Sequence, residues 1–361
     1  MAEELENSGV ESDSTPHTVF VLGAGASYEV GLPVGAQLKD QIAKLVNIKF
    51  SDVGSGEHTG DAWVMEAFRA HARAESLNVN ELLHAGWHIS DAMPQAISID
   101  NFLDARRGEK LIELAGKLGI VQGILHAERN SKIFIDPRSQ SNRIKFTNVT
   151  NTWFNKFFQL VTENCRFEDV VERLKSVSII SFNYDRCLAH FLLHSLQNYY
   201  GVSTQEAEEV LRDFEVLYPY GTVGPLPFAA AQKGVTYGAT LNGAGLLEHS
   251  REILTFTEGT DQRFSEITRI RNNIKNAKRI VFLGFAFHPL NMELLAPKPE
   301  TISPRNQIVI GTAYGLSISD LEAIREDLDI RLHKPTKIVL PGETCDGLFS
   351  NNSRTLSMVR T

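Results

Sequence analysis

Short apolar runs and amphipathic stretches alternate along this chain. Thr18–Leu22 (TVFVL), Val177–Phe182 (VSIISF), Arg279–Leu283 (RIVFL), Gln307–Thr312 (QIVIGT) and Lys337–Leu340 (KIVL) are β-branched and nearly free of internal polar residues. They are too short for helices and lack the alternation of a half-solvated strand, so they read as strands of a parallel sheet buried on both faces. Between them, apolar positions recur at helical spacing. Pro33-Val34-Gly35 leads into a helix with Leu38, Ile42 and Leu45-Val46 on one face. From Asp61 to Ala127 the pattern stays helical, with Trp63, Ala67, Ala70 and Ala74 on one face and further segments at Val79–Leu83, Ile99–Ala105 and Lys110–Ile124. Phe146–Cys165, Phe167–Leu174, Arg186–Leu196, Ile267–Lys278 and Ser319–Leu328 complete the set, the last with Ser319-Asp320 as its N-cap signal. This alternation predicts an α/β fold: a Rossmann-like, mostly parallel sheet with helices on both faces and a helical insertion after the first strand-loop-helix unit.

The intervening stretches set the boundaries. Residues 1–17 are acidic and polar without periodicity, which predicts a disordered tail. Segments 51–60 and 131–145 are polar and read as loops, 226–259 is rich in Gly and Ala and weakly patterned, and residues after Gly347 are polar. One domain over 18–348, an insertion at about 61–127 and a polar C-terminal tail over 349–361 follow.

Composition narrows the classes. With 361 residues, 42% hydrophobic, a sizeable core is within reach. A formal charge of −8 argues against a broad basic face, so no intrinsic nucleic-acid binding is expected. No apolar run approaches the roughly 18 residues of a membrane span and the N-terminus is unlike a signal peptide, which predicts a cytoplasmic protein with no membrane partner. Cys165, Cys187 and Cys345 are too few for a four-thiolate zinc site and read as small buried side chains. His84 and His88 lie four apart, yet no glutamate or third ligand accompanies them, so no metal is assigned.

Two strand ends carry chemistry. The first runs into Gly23-Ala24-Gly25-Ala26-Ser27, where glycines tolerate positive φ and close backbone approach, and the amides opening the next helix favour an anion such as a pyrophosphate. The same residues also suit a tight strand-to-helix turn. Tyr28 in place of a third glycine, and no acidic residue ending a second strand, disfavour hydride transfer. Val177–Phe182 delivers Asn183 and Asp185 to the carboxyl edge of the sheet, where open parallel sheets bind ligands. A helix cap would use the same residue types, and Ser98 and Asp100 also suit a cap at the start of a helix.

GAGAS followed by Gly31-Leu32-Pro33, then SIDNFL at 98–103, ISFNYD at 180–185, YPYG at 218–221 and FLGFAFHPLNMELL at 282–295 form an ordered series. It resembles the sirtuin-like NAD-binding family, in particular its bacterial defence-associated members that lack the zinc module. The resemblance implies that Gly23, Ala24, Gly25, Ala26 and Ser27, followed by Leu32 and Pro33, hold the phosphates of NAD. It implies that Asp100 belongs to a helical lid, that Asn183 holds a water near the nicotinamide ribose while Asp185 orients the site, and that Gly284, Phe285 and Asn291 receive the adenosine end. Tyr220 stands where the family carries a histidine base, and a neutral tyrosine is a hydroxyl donor rather than a base. His288 reads as structural. The activity implied is NAD glycohydrolase, giving nicotinamide and ADP-ribose, in defence against phage. The alternative is an NAD or ADP-ribose sensor or scaffold subunit that does not turn its ligand over. Either would act as a homo-oligomer, with a separate sensor or regulatory protein, or both; no zinc is implied.

Overall fold

A computed structural model describes residues 18–50, 59–139, 142–230, 233–256, 258, 264–297 and 305–358. The expected tail at 1–17 and most of the expected loop at 51–60 lie outside the described residues.

Six strands, β1 (Thr18–Leu22), β2 (Val177–Ser181), β3 (Val216–Leu217), β4 (Arg279–Leu283), β5 (Arg305–Gly311) and β6 (Pro335–Val339), form one sheet in the order β3-β2-β1-β4-β5-β6. Every pairing is parallel. This is a Rossmann-like α/β fold whose winding reverses between β1 and β4, the switch point at which such sheets open a crevice. Leu22 is in register with Ser181 on one side and Leu283 on the other. Gly23, Phe182-Asn183 and Gly284 therefore leave the sheet level with one another.

Successive side chains divide between two cores, as strand geometry requires. Val19, Val21, Ile180, Ile280, Phe282 and Val309 face one layer. That layer holds α2 (Gly35–Val46), α3 (Ala62–Ala74), α4 (Val79–Ala92), α5 (Ile99–Ala105) and α6 (Lys110–Arg129). Phe20, Leu22, Ile179, Val281, Leu283 and Ile310 face the other, built on α7 (Trp153–Thr162), α8 (Val170–Lys175), α9 (Cys187–Tyr200) and α10 (Thr204–Arg212). The insertion thus packs on one face of the sheet, which it shares with the helix Phe264–Asn276. Among the described residues no helix is long and apolar enough to cross a membrane.

Four boundaries differ from expectation, each for a local reason. In α3 the buried face is Val64, Met65, Ala67, Phe68 and Ala72, while Trp63 and Ala74 are exposed, because the bulkier set buries more apolar area. α7 starts at Trp153 rather than Phe146, after a 3-10 turn at Phe146–Asn148, with the Thr152 hydroxyl accepting from Asn155 N. The late helix runs Ile318–Arg331, with Ser317 rather than Ser319 capping it by accepting from Asp320 N at 3.1 Å. The described residues after Gly347 are not a polar tail. They continue as helices Cys345–Asn351 and Ser353–Leu356, burying Leu348, Phe349 and Leu356, with Phe349 stacked 6.2 Å from Phe20 of β1. A few apolar side chains are enough to dock a segment that is otherwise polar. In the weakly patterned 226–259 stretch, Gly243–Ser250 forms a helix whose Gly243 lies against α3: a β-carbon there would come 2.5 Å from Ala67 N.

Beneath the site, polar groups are buried and paired. Arg186 and Glu128 form an ion pair with both side chains out of water, the Arg186 Nε donating to Glu128 Oε1 at 3.0 Å. His190, on α9, donates Nε2–H to the Ile133 carbonyl at 3.0 Å and stacks on Tyr237 with centroids 4.0 Å apart. Burial, reinforced by His194 and Arg186, holds the His190 imidazole neutral and pulls its pKa down to about 3. The unfolded chain takes up this proton near pH 6.5 while the folded chain refuses it, so the contribution is complete above 6.5 and is lost as pH falls toward 3. Thermal melts from pH 7.5 to 5 should show a destabilisation approaching about 1.4 kcal/mol per pH unit from this group, and His190→Gln should flatten the slope. Parallel slopes for the two proteins would count against this origin.

Candidate functional site

β1 ends in an extended residue, Gly23, with φ −112°. Neither Gly23 nor Gly25 is left-handed, contrary to the expectation of positive φ; the left-handed residue is Gly284, with φ +54°. What requires glycine is backbone contact between two loops. A β-carbon on Gly23 would lie 2.6 Å from Gly284 O and 2.7 Å from Phe285 Cα, and one on Gly25 would lie 2.8 Å from Gly284 Cα. The Gly25 N–H donates to Gly284 O at 3.0 Å, and Gly284 N–H donates to the Thr312 hydroxyl at 2.8 Å. The β4 loop is thereby laid directly across the first one.

The turn Ala24–Tyr28 (α1) is braced from below. The Trp153 indole donates to Ala26 O at 2.6 Å, and Ala26 and Ser27 are buried. Glu29, just past the turn, accepts from Trp153 N at 2.8 Å and from Asp346 N at 2.7 Å, tying the starts of α7 and of the Cys345–Asn351 helix to the loop. Burial raises the Glu29 pKa, and the two amides oppose the rise. Leu32 and Pro33 do not line the carboxyl edge: both are buried, Leu32 in the apolar cluster with Ala26 and Val30, where they anchor the chain leaving α1. Ala24 and Gly25 keep partial exposure.

Asn183 meets this loop across 160 residues of sequence. Its Nδ2 donates to Gly23 O at 3.0 Å and to Ser27 Oγ at 3.3 Å. Asp185 Oδ1 accepts from Cys187 N at 3.0 Å, from one residue before the N-cap Arg186, and the same carboxylate accepts from the Ser27 hydroxyl. Burial pushes the Asp185 pKa up against these hydrogen bonds. Ser27, Asn183 and Asp185, with Ser181 and Tyr218, border a cavity of about 10 Å³, the space of a single water.

Farther out, the insertion closes over the edge. Ser98 caps α5 by accepting from Asn101 N at 3.1 Å, which leaves the Asp100 carboxylate to accept from the Tyr184 hydroxyl. Burial raises the Asp100 pKa, opposed first by that hydrogen bond. Tyr220 donates its hydroxyl to Asn291 Oδ1 at 2.6 Å, and burial pushes its ionisation up, away from any role as a base. Phe182 packs edge-on against Tyr220 (5.5 Å) and Phe285 (5.2 Å), joining the ends of β2, β3 and β4 in one aromatic wall.

The structure therefore brings Gly23, Ala24, Gly25, Ala26, Ser27, Asn183, Asp185 and Gly284 into one cluster and Asp100, Tyr220, Phe285 and Asn291 into an adjoining one. Sequence reasoning passed over Tyr184, Phe182, Trp153 and Glu29. Tyr184 had a signal, lying between Asn183 and Asp185; Glu29 and Trp153 had none, since their roles arise from tertiary contact. His88 is engaged by Arg106 at 3.1 Å, and among the described residues no three metal-ligating side chains converge. No protein-family model matches this chain, and no curated protein matches it.

Proposed function

We propose that this chain is a sirtuin-like NAD glycohydrolase, cleaving the nicotinamide–ribose bond of NAD to nicotinamide and ADP-ribose. The observation that carries this reading is the pair of hydrogen bonds from Asn183 to Gly23 O and Ser27 Oγ. They join, at a switch point, the two motifs on which the resemblance chiefly rests. The residue types suit such a ligand: the partly exposed Ala24 beside a phosphate, and Asp100, Tyr220 and Asn291 for ribose hydroxyls. Nicotinamide is cationic while attached and leaves neutral, so no general acid is needed. The barrier lies in the developing oxocarbenium charge and in the placing of a water. In this reading Asp185 supplies the compensating charge and Asn183 the alignment. Anti-phage defence, with a separate sensing or regulatory partner or self-association, is the setting the resemblance supports.

A second reading, an NAD or ADP-ribose sensor without turnover, is favoured by one specific feature. The Gly25 amide is already taken by Gly284 O, and the space among Ser27, Asn183 and Asp185 holds one water rather than a ribose. Opening of the β4 loop would have to precede catalysis, which makes the activity latent. Mass spectrometry of NAD incubated with purified protein, with and without extract from phage-infected cells, separates the two. Equimolar nicotinamide and ADP-ribose support the hydrolase; NAD bound but intact under every condition supports the sensor.

A further inference from the structure

A second cavity, of about 750 Å³, opens on the side of the sheet built on α7 to α10 and shares no residue with the cluster around Asn183. Its walls are α7, α9 and the helices Cys345–Asn351 and Ser353–Leu356. Ligand pockets commonly enclose about 300–1,000 Å³, so a small molecule fits. The apolar wall is aromatic. Tyr199 is 60% exposed there and sits edge-on to the buried Phe158, with centroids 5.5 Å apart. A ring held in place by a buried neighbour yet left in water is a platform on which a flat ligand stacks.

The polar lining narrows the ligand. Ser195, on α9, is only 2% exposed, and its hydroxyl has no hydrogen-bond partner among the described residues. A buried hydroxyl left unpaired is costly, and one that borders a cavity gains its partner when the cavity fills. Gln159 and Asn198 bring exposed side-chain amides, each with a donor and an acceptor. Among the charged groups, Lys156 is neutralised by Asp346 at 2.9 Å. Arg354 and Glu163 are exposed and take part in no ion pair among the described residues.

We propose that this cavity is a second ligand site and that it takes a mononucleotide. The base stacks on Tyr199 and turns its edge to the amides of Gln159 and Asn198, the phosphate meets the Arg354 guanidinium, and the Glu163 carboxylate accepts from ribose hydroxyls. The site also bears on the loop after β1. α7 and the helix Cys345–Asn351 both start at Glu29, whose carboxylate accepts from Trp153 N and Asp346 N just past α1. A ligand wedged between those two helices loads the same carboxylate, and through it the turn that Asn183 holds at Gly23 and Ser27. The cavity is therefore an effector site, whether or not the chain hydrolyses NAD.

Calorimetry with AMP, GMP, CMP and UMP as probes, and with adenosine and inorganic phosphate in separate arms, tests the assignment. At least one mononucleotide should bind, more tightly than adenosine or phosphate alone. Tyr199→Ala and Arg354→Ala should each weaken it about 10-fold or more, and since both side chains are exposed both proteins should melt as wild type does. No binding of any of the four at millimolar concentration overturns the site, as does an affinity that neither substitution changes or that phosphate alone matches. Hydrogen exchange of the Gly25 to Ser27 amides should slow in wild type saturated with the nucleotide and stay unchanged in Tyr199→Ala at the same concentration. Exchange unchanged in saturated wild type overturns the effector role. None of these readouts uses NAD cleavage, so failure here and failure of the hydrolase reading are told apart.

Discussion

Glu128→Ala should lower the stability of the fold by about 3–5 kcal/mol, the cost typical of breaking a buried ion pair from one side. Glu128 is wholly buried on α6, and its carboxylate accepts from Arg186 Nε, from the Arg186 backbone amide at 3.2 Å and from Gly238 N at 2.9 Å. Removing it leaves a guanidinium that is itself only 2% exposed, with the Gly224, Val235 and Thr236 carbonyls as its remaining partners. Those contacts pin Gly224 and the segment 235–238 to the start of α9, one residue from Asp185, so the loss reaches the site as well as the core. Urea denaturation of wild type, Glu128→Ala and the double variant Glu128→Leu/Arg186→Met is the measurement. The double variant should recover much of the loss, since two apolar side chains of similar volume carry no desolvated charge. A single variant that loses less than about 1 kcal/mol, or a double variant worse than either single, would contradict this account.

How much was legible in the sequence follows from where the determining interactions lie. The strands were readable because a strand buried on both faces must be apolar at every position, as in Val19–Leu22, and no partner need be known to see it. β3 is two residues long and leaves almost no pattern; its neighbours Tyr218 and Tyr220 had to be placed by the resemblance. Face assignments failed where small and large apolar residues competed, as for Trp63 against Phe68, because burial selects by area within a particular neighbour's surface. The C-terminal segment was misread for a related reason, since Phe349 and Leu356 are isolated apolar residues whose meaning depends on Phe20 lying opposite. Gly23, Asn183 and Gly284 do come together, but for reasons partly different from those expected. The glycines are demanded by a neighbouring loop, and the register that makes them neighbours is a property of three strands together.

Asn183→Ala should slow nicotinamide release by about 100-fold or more, the scale of a lost preorganised group. The side chain leaves the end of β2 at the switch point, and both its amide hydrogens are spent on the loop after β1, on Gly23 O and Ser27 Oγ. Its carbonyl oxygen remains free to accept from a water aligned on the anomeric carbon. Alanine removes that acceptor and also unties Ser27 from β2, so part of the loss will appear as loop disorder. Asn183→Asp separates the two effects, because it keeps the shape and the acceptor while deleting the donors to the loop. The aspartate should therefore retain more activity than the alanine if alignment of water dominates, and no more if the loop tether dominates. Tyr220→Phe should cost less than either, since departure of neutral nicotinamide requires no proton from it and the bond to Asn291 lies at the rim. Steady-state nicotinamide release, with folding checked by thermal melts, decides the order. Equal release from wild type and a folded Asn183→Ala protein would remove Asn183 from the chemistry and leave it as a tether of the loop.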